Sequence, residues 1–165
     1  MPSLLRRATT CRRLPPSLDL MKDKLRDRLV RDALEWESRF GNSPAITSAL
    51  SEYDAAVFVG MSEAEYSTAM KGCTAVQRGF DFMHCGMRYQ VKANRPSGKL
   101  GSRVTLVPKA KNYDWDYLVW VLYDTRYVVQ EAWIWAMPAY REAFDGVSRL
   151  CPADMRKGSK LTVVL

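Results

Sequence analysis

Residues 79–92 read GFDFMHCGMRYQVK. Phe80 and Phe82 alternate with Asp81. Beyond Cys85-Gly86, Met87, Tyr89, Val91 and Ala93 alternate with Arg88, Gln90, Lys92 and Asn94. Period-two alternation on both sides of a turn dipeptide predicts a β-hairpin. A two-residue turn sets its register: His84 pairs with Met87, Met83 with Arg88 and Phe82 with Tyr89, so Asp81 lies across from Gln90. Residues two apart on a strand share a face, and facing residues sit about 5 Å apart at Cβ. The hairpin thus gathers a carboxylate, an amide and an ammonium into one polar patch, opposite Tyr89, Val91 and Ala93.

Two readings of that patch stay open. A polar strand face is ordinarily solvated, and Asp–Lys pairs across strands are common. The same groups also suit phosphodiester cleavage. Mg²⁺ takes oxygen ligands, keeps several waters and typically uses one or two carboxylates beside substrate phosphates. Asp81 would be the anionic ligand, with the Gln90 side-chain oxygen and the Val91 carbonyl completing the protein's share. Lys92 would orient or deprotonate the attacking water, or stabilise charge in the transition state.

Around the hairpin the chain reads as one α/β or α+β domain. Leu25, Leu29, Ala33, Trp36 and Phe40 fall at helical spacing, with Ser17 able to cap the start and Gly41 the end, predicting a first helix over 18–40. Ser43-Pro44 opens a second, short helix to about residue 52. YDAAVFVG (53–60) reads as ambiguous, with a short strand as one option. Ser62-Glu-Ala-Glu65 is a capping box for a helix that stops near Gly72. YLVWVLY (117–123) is apolar on both faces, the pattern of a central strand covered twice. YVVQEAWIWA (127–136) predicts a partner strand reached through Asp124-Thr-Arg126, with Glu131 a buried partner for an arginine and Trp133 and Trp135 in the core. Pro138 opens a helix whose Tyr140 and Phe144 face the sheet. KLTVVL (160–165) predicts an edge strand or a segment docked on the core.

The 165 residues are enough for one domain with a real core, and 47% of them are apolar. The formal charge is +7; residues 1–20 carry +3 of it, leaving only +4 for the remainder. Overall basicity is therefore a weak argument for a polyanionic partner, and local basicity must carry it. Residues 1–17 (MPSLLRRATTCRRLPPS) are expected to be a disordered basic extension outside the domain of residues 18–165. No run approaches the length of a membrane span. Four cysteines without a C-x-x-C pair and one histidine suggest neither a disulfide framework nor a zinc site, and free thiols suit a reducing, cytoplasmic setting. A Ser–His–Asp triad is disfavoured by the lone His84 and the lack of a nucleophile elbow.

The run of Asp81, eight residues, Gln90, one residue and Lys92 resembles the core of the PD-(D/E)XK nuclease superfamily, in the glutamine variant of its Mrr-like branch. The resemblance covers roughly residues 20–145 and implies a restriction-endonuclease-like fold: a central mixed β-sheet flanked by helices, in a single domain. It implies metal-dependent hydrolysis of DNA with Mg²⁺, or Mn²⁺, as cofactor. Asp81, Gln90 and Lys92 are the residues carried over, with Asp81, Gln90 and Val91 as metal ligands. Many members add an acidic residue from the first helix, for which Glu35 is the best match and Glu37 the second. Two positions depart from the family pattern: Phe80 stands where a proline often precedes the Asp, and Gln90 replaces the second carboxylate. The alternative implied by Gln90 is a catalytically inactive nucleic-acid-binding module of the same fold.

Residues 92–111 (KANRPSGKLGSRVTLVPKAK) contain no Asp or Glu. Beyond Lys92, Arg95, Lys99, Arg103, Lys109 and Lys111 form the expected DNA-binding set, on a Gly/Ser-containing loop suited to a phosphate backbone. A chain this small has little room for a separate recognition domain, so a homodimer or a partner subunit is expected to supply it. A basic interaction protein with no nucleic-acid role is the third reading.

Overall fold

The computed structural model describes residues 24–73 and 79–162. In chain order its elements are α1 (Leu25–Phe40), α2 (Thr47–Phe58), α3 (Glu63–Lys71), β1 (Phe82–His84), β2 (Met87–Asn94), β3 (Tyr117–Tyr123), β4 (Val129–Ala136), α4 (Met137–Phe144), α5 (Pro152–Met155) and β5 (Ser159–Lys160). The strands form one open mixed sheet in the order β1-β2-β3-β4-β5. All neighbours are antiparallel except β2 and β3, which run parallel. A parallel pair needs a crossover. Here residues 95–116 supply it without a regular helix, pinned midway by a bridge between Val107 and Leu150.

Helices and crossover cover the two faces of the sheet. On one face, Leu50, Ala55, Ala56 and Met61 from the α1–α3 side pack on Phe82, Tyr89, Val91, Val119, Val121 and Tyr123. On the other, Val107, Ala110 and Trp115 of the crossover join Tyr140, Phe144, Leu150 and Met155 against Leu118, Trp120 and Trp135. Coverage on both sides explains the unbroken apolar run of β3, where Leu118 through Val121 have no measurable exposure. Each such side chain contributes about 1.5–3 kcal/mol by burial.

The hairpin has the expected register: Phe82 pairs with Tyr89, Met83 with Arg88 and His84 with Met87. Cys85 and Gly86 both take positive φ, +49° and +78°, as a two-residue turn matched to strand twist requires. The Ser62–Glu65 capping box forms, and Gly41 ends α1 in the left-handed conformation. Glu131 pairs with Arg156 through both carboxylate oxygens. Ser17, the expected cap of the first helix, and residues 163–165 of the last segment lie outside the described residues; within them β5 pairs with β4 as an edge strand.

Two expectations are corrected. The 53–60 run is not a strand: α2 continues through it to Phe58. Its apolar character reflects close packing of Ala55 and Ala56, both fully buried, against the sheet. Asp54 on the same turn receives a two-pronged guanidinium contact from Arg26 at 2.6 and 2.7 Å and the Tyr123 hydroxyl at 2.6 Å. The first helix is also rotated from its expected orientation. Only Ala33 of the predicted stripe is buried; Val30 and Leu34 face the core, while Leu25, Leu29, Trp36 and Phe40 are exposed. Polar anchors explain the rotation, since Arg26 must reach Asp54 and Glu37 must reach Arg95. No helix among the described residues is long and apolar enough to cross a membrane.

Candidate active site

β1 is short, and that creates the site. Its ladder with β2 ends at Phe82–Tyr89, whereas β2 continues to Asn94 paired with β3 on its other side. Asp81 keeps its own N–H on the Tyr89 carbonyl at 2.8 Å. Its carboxylate takes the next place along the β2 edge. Oδ2 accepts the Val91 N–H at 2.6 Å and the Gln90 side-chain amide at 2.5 Å. Asp81 therefore stands in for a backbone carbonyl at the point where the strand stops. Gln90 is only 8% exposed, and its amide also approaches the Val91 carbonyl at 3.4 Å, satisfying a polar group that burial would otherwise penalise.

A second carboxylate enters from α2. Burial, then the charge of Asp81, push Glu52 up to about 7, with Lys92 partly offsetting them. Asp81 is itself raised, chiefly by burial, against the opposing Val91 N–H, the Lys92 charge and the Gln90 amide. Tyr66 of α3 is raised to about 12 by burial and then by Glu52 and Asp81. Asp81 and Lys92 both act on Glu52, which puts the three in one electrostatic neighbourhood. Lys92 is half-buried on β2 and makes no hydrogen bond or ion pair with a described residue.

The acids expected from the first helix have partners of their own. Glu35 points to solvent and pairs with Arg39 at 2.5 Å, and Glu37 is committed to Arg95 at 2.6 Å. Glu52 is the acid that senses Asp81 and Lys92. Its signal in the sequence was one of two acids in SEYDAAVF, hidden by reading that run as the end of a helix and a strand.

The basic segment divides in two. Arg95 is buried: it pairs with Glu37, donates to the Thr125 carbonyl and lies 4.3 Å from the centre of the Tyr127 ring. Lys109 donates to the carbonyls of Asp145 and Val147 at 2.9 and 2.8 Å, just past the end of α4. Both are engaged in holding the fold, unlike the rest of the expected DNA-binding set. Lys99, Arg103 and Lys111 are exposed and make no hydrogen bond or ion pair with a described residue. A cleft of about 810 Å³ opens beyond the end of β2, lined by Glu37, Ser38, Asn42, Arg95, Ser97 and Lys99 among others. None of Asp81, Gln90, Glu52 and Lys92 lines this cleft, and its polar walls carry no acid–base pair beyond the Glu37–Arg95 bridge.

Among the described residues no group of three or more His, Cys, Asp or Glu is arranged to hold a metal ion. The oxygen donors at this edge are the carboxylates of Asp81 and Glu52 and the Val91 carbonyl, while Gln90 presents its amide nitrogen to Asp81. That set suits a hard cation that retains water ligands. The observation in favour is electrostatic: burial raises both half-buried carboxylates, the charge of Asp81 raises Glu52 further, and a nearby dication would relieve both.

No protein-family model matches this chain, and no curated protein matches it.

Proposed function

We propose that the protein is a metal-dependent nuclease that hydrolyses phosphodiester bonds in DNA, built on a restriction-endonuclease-like fold. The observation that carries the reading is the convergence of Asp81, Glu52 and Lys92 at the vacated edge of β2, with the Asp81 carboxylate clamped by Val91 and Gln90. The hairpin register and the helices on the Tyr89 face support it.

Asp81 and Glu52, with the Gln90 side-chain oxygen and the Val91 carbonyl, would hold Mg²⁺ or Mn²⁺. Such a cation supplies charge to a phosphate oxygen and acidifies a water. The chain's own residues do the rest. Val91 N–H fixes the Asp81 carboxylate. Glu52, raised to about 7 in the metal-free protein, gives its carboxylate to the site once its proton has left. Lys92 brings a positive charge to the edge where a phosphate lies and stabilises the charge that develops there. Lys99, Arg103 and Lys111 provide exposed charge for the flanking backbone.

A second reading has one specific observation behind it. Gln90 directs its amide nitrogen, a donor, at the carboxylate that a cation would need. In that reading the site binds nucleic acid without cutting it. Plasmid cleavage in Mg²⁺ and Mn²⁺, with Asp81→Asn and Lys92→Ala as controls, separates the two. Cleavage abolished by both substitutions supports the enzyme. Retained binding with no cleavage in either metal, and no calorimetric metal binding that depends on Asp81, leaves only the binding module.

A further inference from the structure

The loop that follows β2 is built around a fixed apex. The Ser102 N–H donates to the Lys99 carbonyl at 3.1 Å, and Gly101 between them takes a φ of +79°. Leu100 is not among the residues with positive φ, so residues 99–102 form a type II turn with Leu100 at its first central position. Below the turn, the Ser97 N–H and hydroxyl both meet the Ser102 hydroxyl, at 3.0 and 2.9 Å. The stem is held against α1: Arg95 pairs with Glu37, and Gly98 lies so near that a Cβ there would come within 2.9 Å of the Glu37 carboxylate. At the apex Leu100 is fully exposed, more so than any other large apolar side chain among the described residues. Lys99 and Arg103, on either side of it, are exposed as well.

We infer that this loop enters the minor groove of duplex DNA, where Leu100 wedges between two base pairs while Lys99 and Arg103 hold the phosphates on either side. The inference rests on the DNA-binding part of the reading above and is independent of catalysis. A leucine in open water adds no burial to the fold, yet a closed turn on an anchored stem presents it. Charge selects the occupant. Residues 92–111 contain no Asp or Glu, and Glu37, the one acid lining the cleft beside the loop, is already paired with Arg95. Such a tip suits a polyanion. Size selects among polyanions. Leu100 is the one large apolar side chain between Arg95 and Arg103. One leucine is too little to anchor a protein on a bilayer, where stable attachment takes two signals, and far less than the roughly 1,200 Å² of a specific protein interface. A single apolar side chain is, however, all that is needed to unstack one base step and kink the duplex by roughly 20–90°. Pyrimidine–purine steps such as TA open most readily, so the wedge would favour them without reading a base edge. The loop begins three residues after Lys92, at the end of the strand that carries the proposed site.

A short duplex carrying 2-aminopurine at a central TA step, titrated with the full chain in EDTA, tests this without cleavage. Binding should raise the 2-aminopurine fluorescence several-fold, and energy transfer between dyes at the two duplex ends should report a bend. Leu100→Ala should abolish both changes and leave the salt dependence of binding as in wild type, because no phosphate contact is lost. Leu100→Phe, which keeps an apolar wedge, should retain them. Since Leu100 is fully exposed, thermal unfolding of both variants should match wild type. Duplex binding without a fluorescence rise, or a rise that survives Leu100→Ala, would overturn the wedge and leave the DNA reading standing. Failure to bind the duplex at all would remove both. Leu100-dependent co-sedimentation with anionic lipid vesicles, without unstacking of the duplex, would assign the loop to a membrane surface instead.

Discussion

Gln90 donates its side-chain amide to Asp81 Oδ2 at 2.5 Å, at the point where β1 stops and β2 continues. A glutamine there neutralises nothing, yet it holds the carboxylate in place together with the Val91 N–H. Replacing it by a carboxylate changes the sign of the contact. Gln90→Glu should destabilise the metal-free protein by about 1–3 kcal/mol at neutral pH, since one of two adjacent acids must take up a proton or repel the other. Mg²⁺ should recover much of that loss. Thermal unfolding with and without the cation checks this; equal loss in both conditions would argue against a cation at Asp81.

Glu52 makes the pH dependence specific. Its folded pKa of about 7 lies above the ordinary value of 4.5, so the folded chain holds this proton more tightly than the unfolded one. Stability conferred by the protonated form is present below about pH 4.5 and is lost as pH rises toward 7. Glu52→Gln, which keeps the neutral shape, should match wild type near pH 4.5 and exceed it at pH 8. The gain should be about 1–2 kcal/mol once solvent screening of a half-exposed group is allowed for. Urea unfolding at the two pH values reads it directly, and a gap that does not change with pH would refute the coupling.

The basic segment should divide by mutation as it divides in space. Arg95→Ala removes a guanidinium whose side chain is 7% exposed and leaves Glu37 without its partner, costing about 2–4 kcal/mol. Lys99→Ala and Arg103→Ala should alter stability by no more than about 0.5 kcal/mol. Under the proposed function each should weaken DNA binding regardless of sequence and lower the salt slope by about one. Titrations at two or more salt concentrations distinguish these classes.

Asp54 is the polar pin of the helical layer. It is 6% exposed and is met by Arg26 from α1 and Tyr123 from β3. Asp54→Ala should cost about 3 kcal/mol or more, because the Arg26 guanidinium and the buried phenol lose their acceptor together. Asp54→Asn should cost less, as one oxygen remains. Denaturant unfolding of the two variants gives the comparison.

Local patterns determined much of this protein. Alternation and the Cys85-Gly86 turn specify the hairpin and its register, because a one-residue slip would expose Tyr89 and Val91. The capping box specifies the start of α3, and the doubly apolar run specifies β3 as a covered strand. Those features depend on contacts within a few residues or on a fixed period. Only the tertiary structure decided which acid joins Asp81, which basic residues are free and which way α1 faces. Glu35 and Glu52 have the same chemistry, and Arg95 and Lys99 lie on the same loop. What separates them is distance in space: α2 brings Glu52 toward Asp81, Glu37 and Tyr127 enclose Arg95, and the need of Asp54 for Arg26 turns the apolar stripe of α1 outward. Periodicity shows that a stripe exists; the long-range partners decide what it faces.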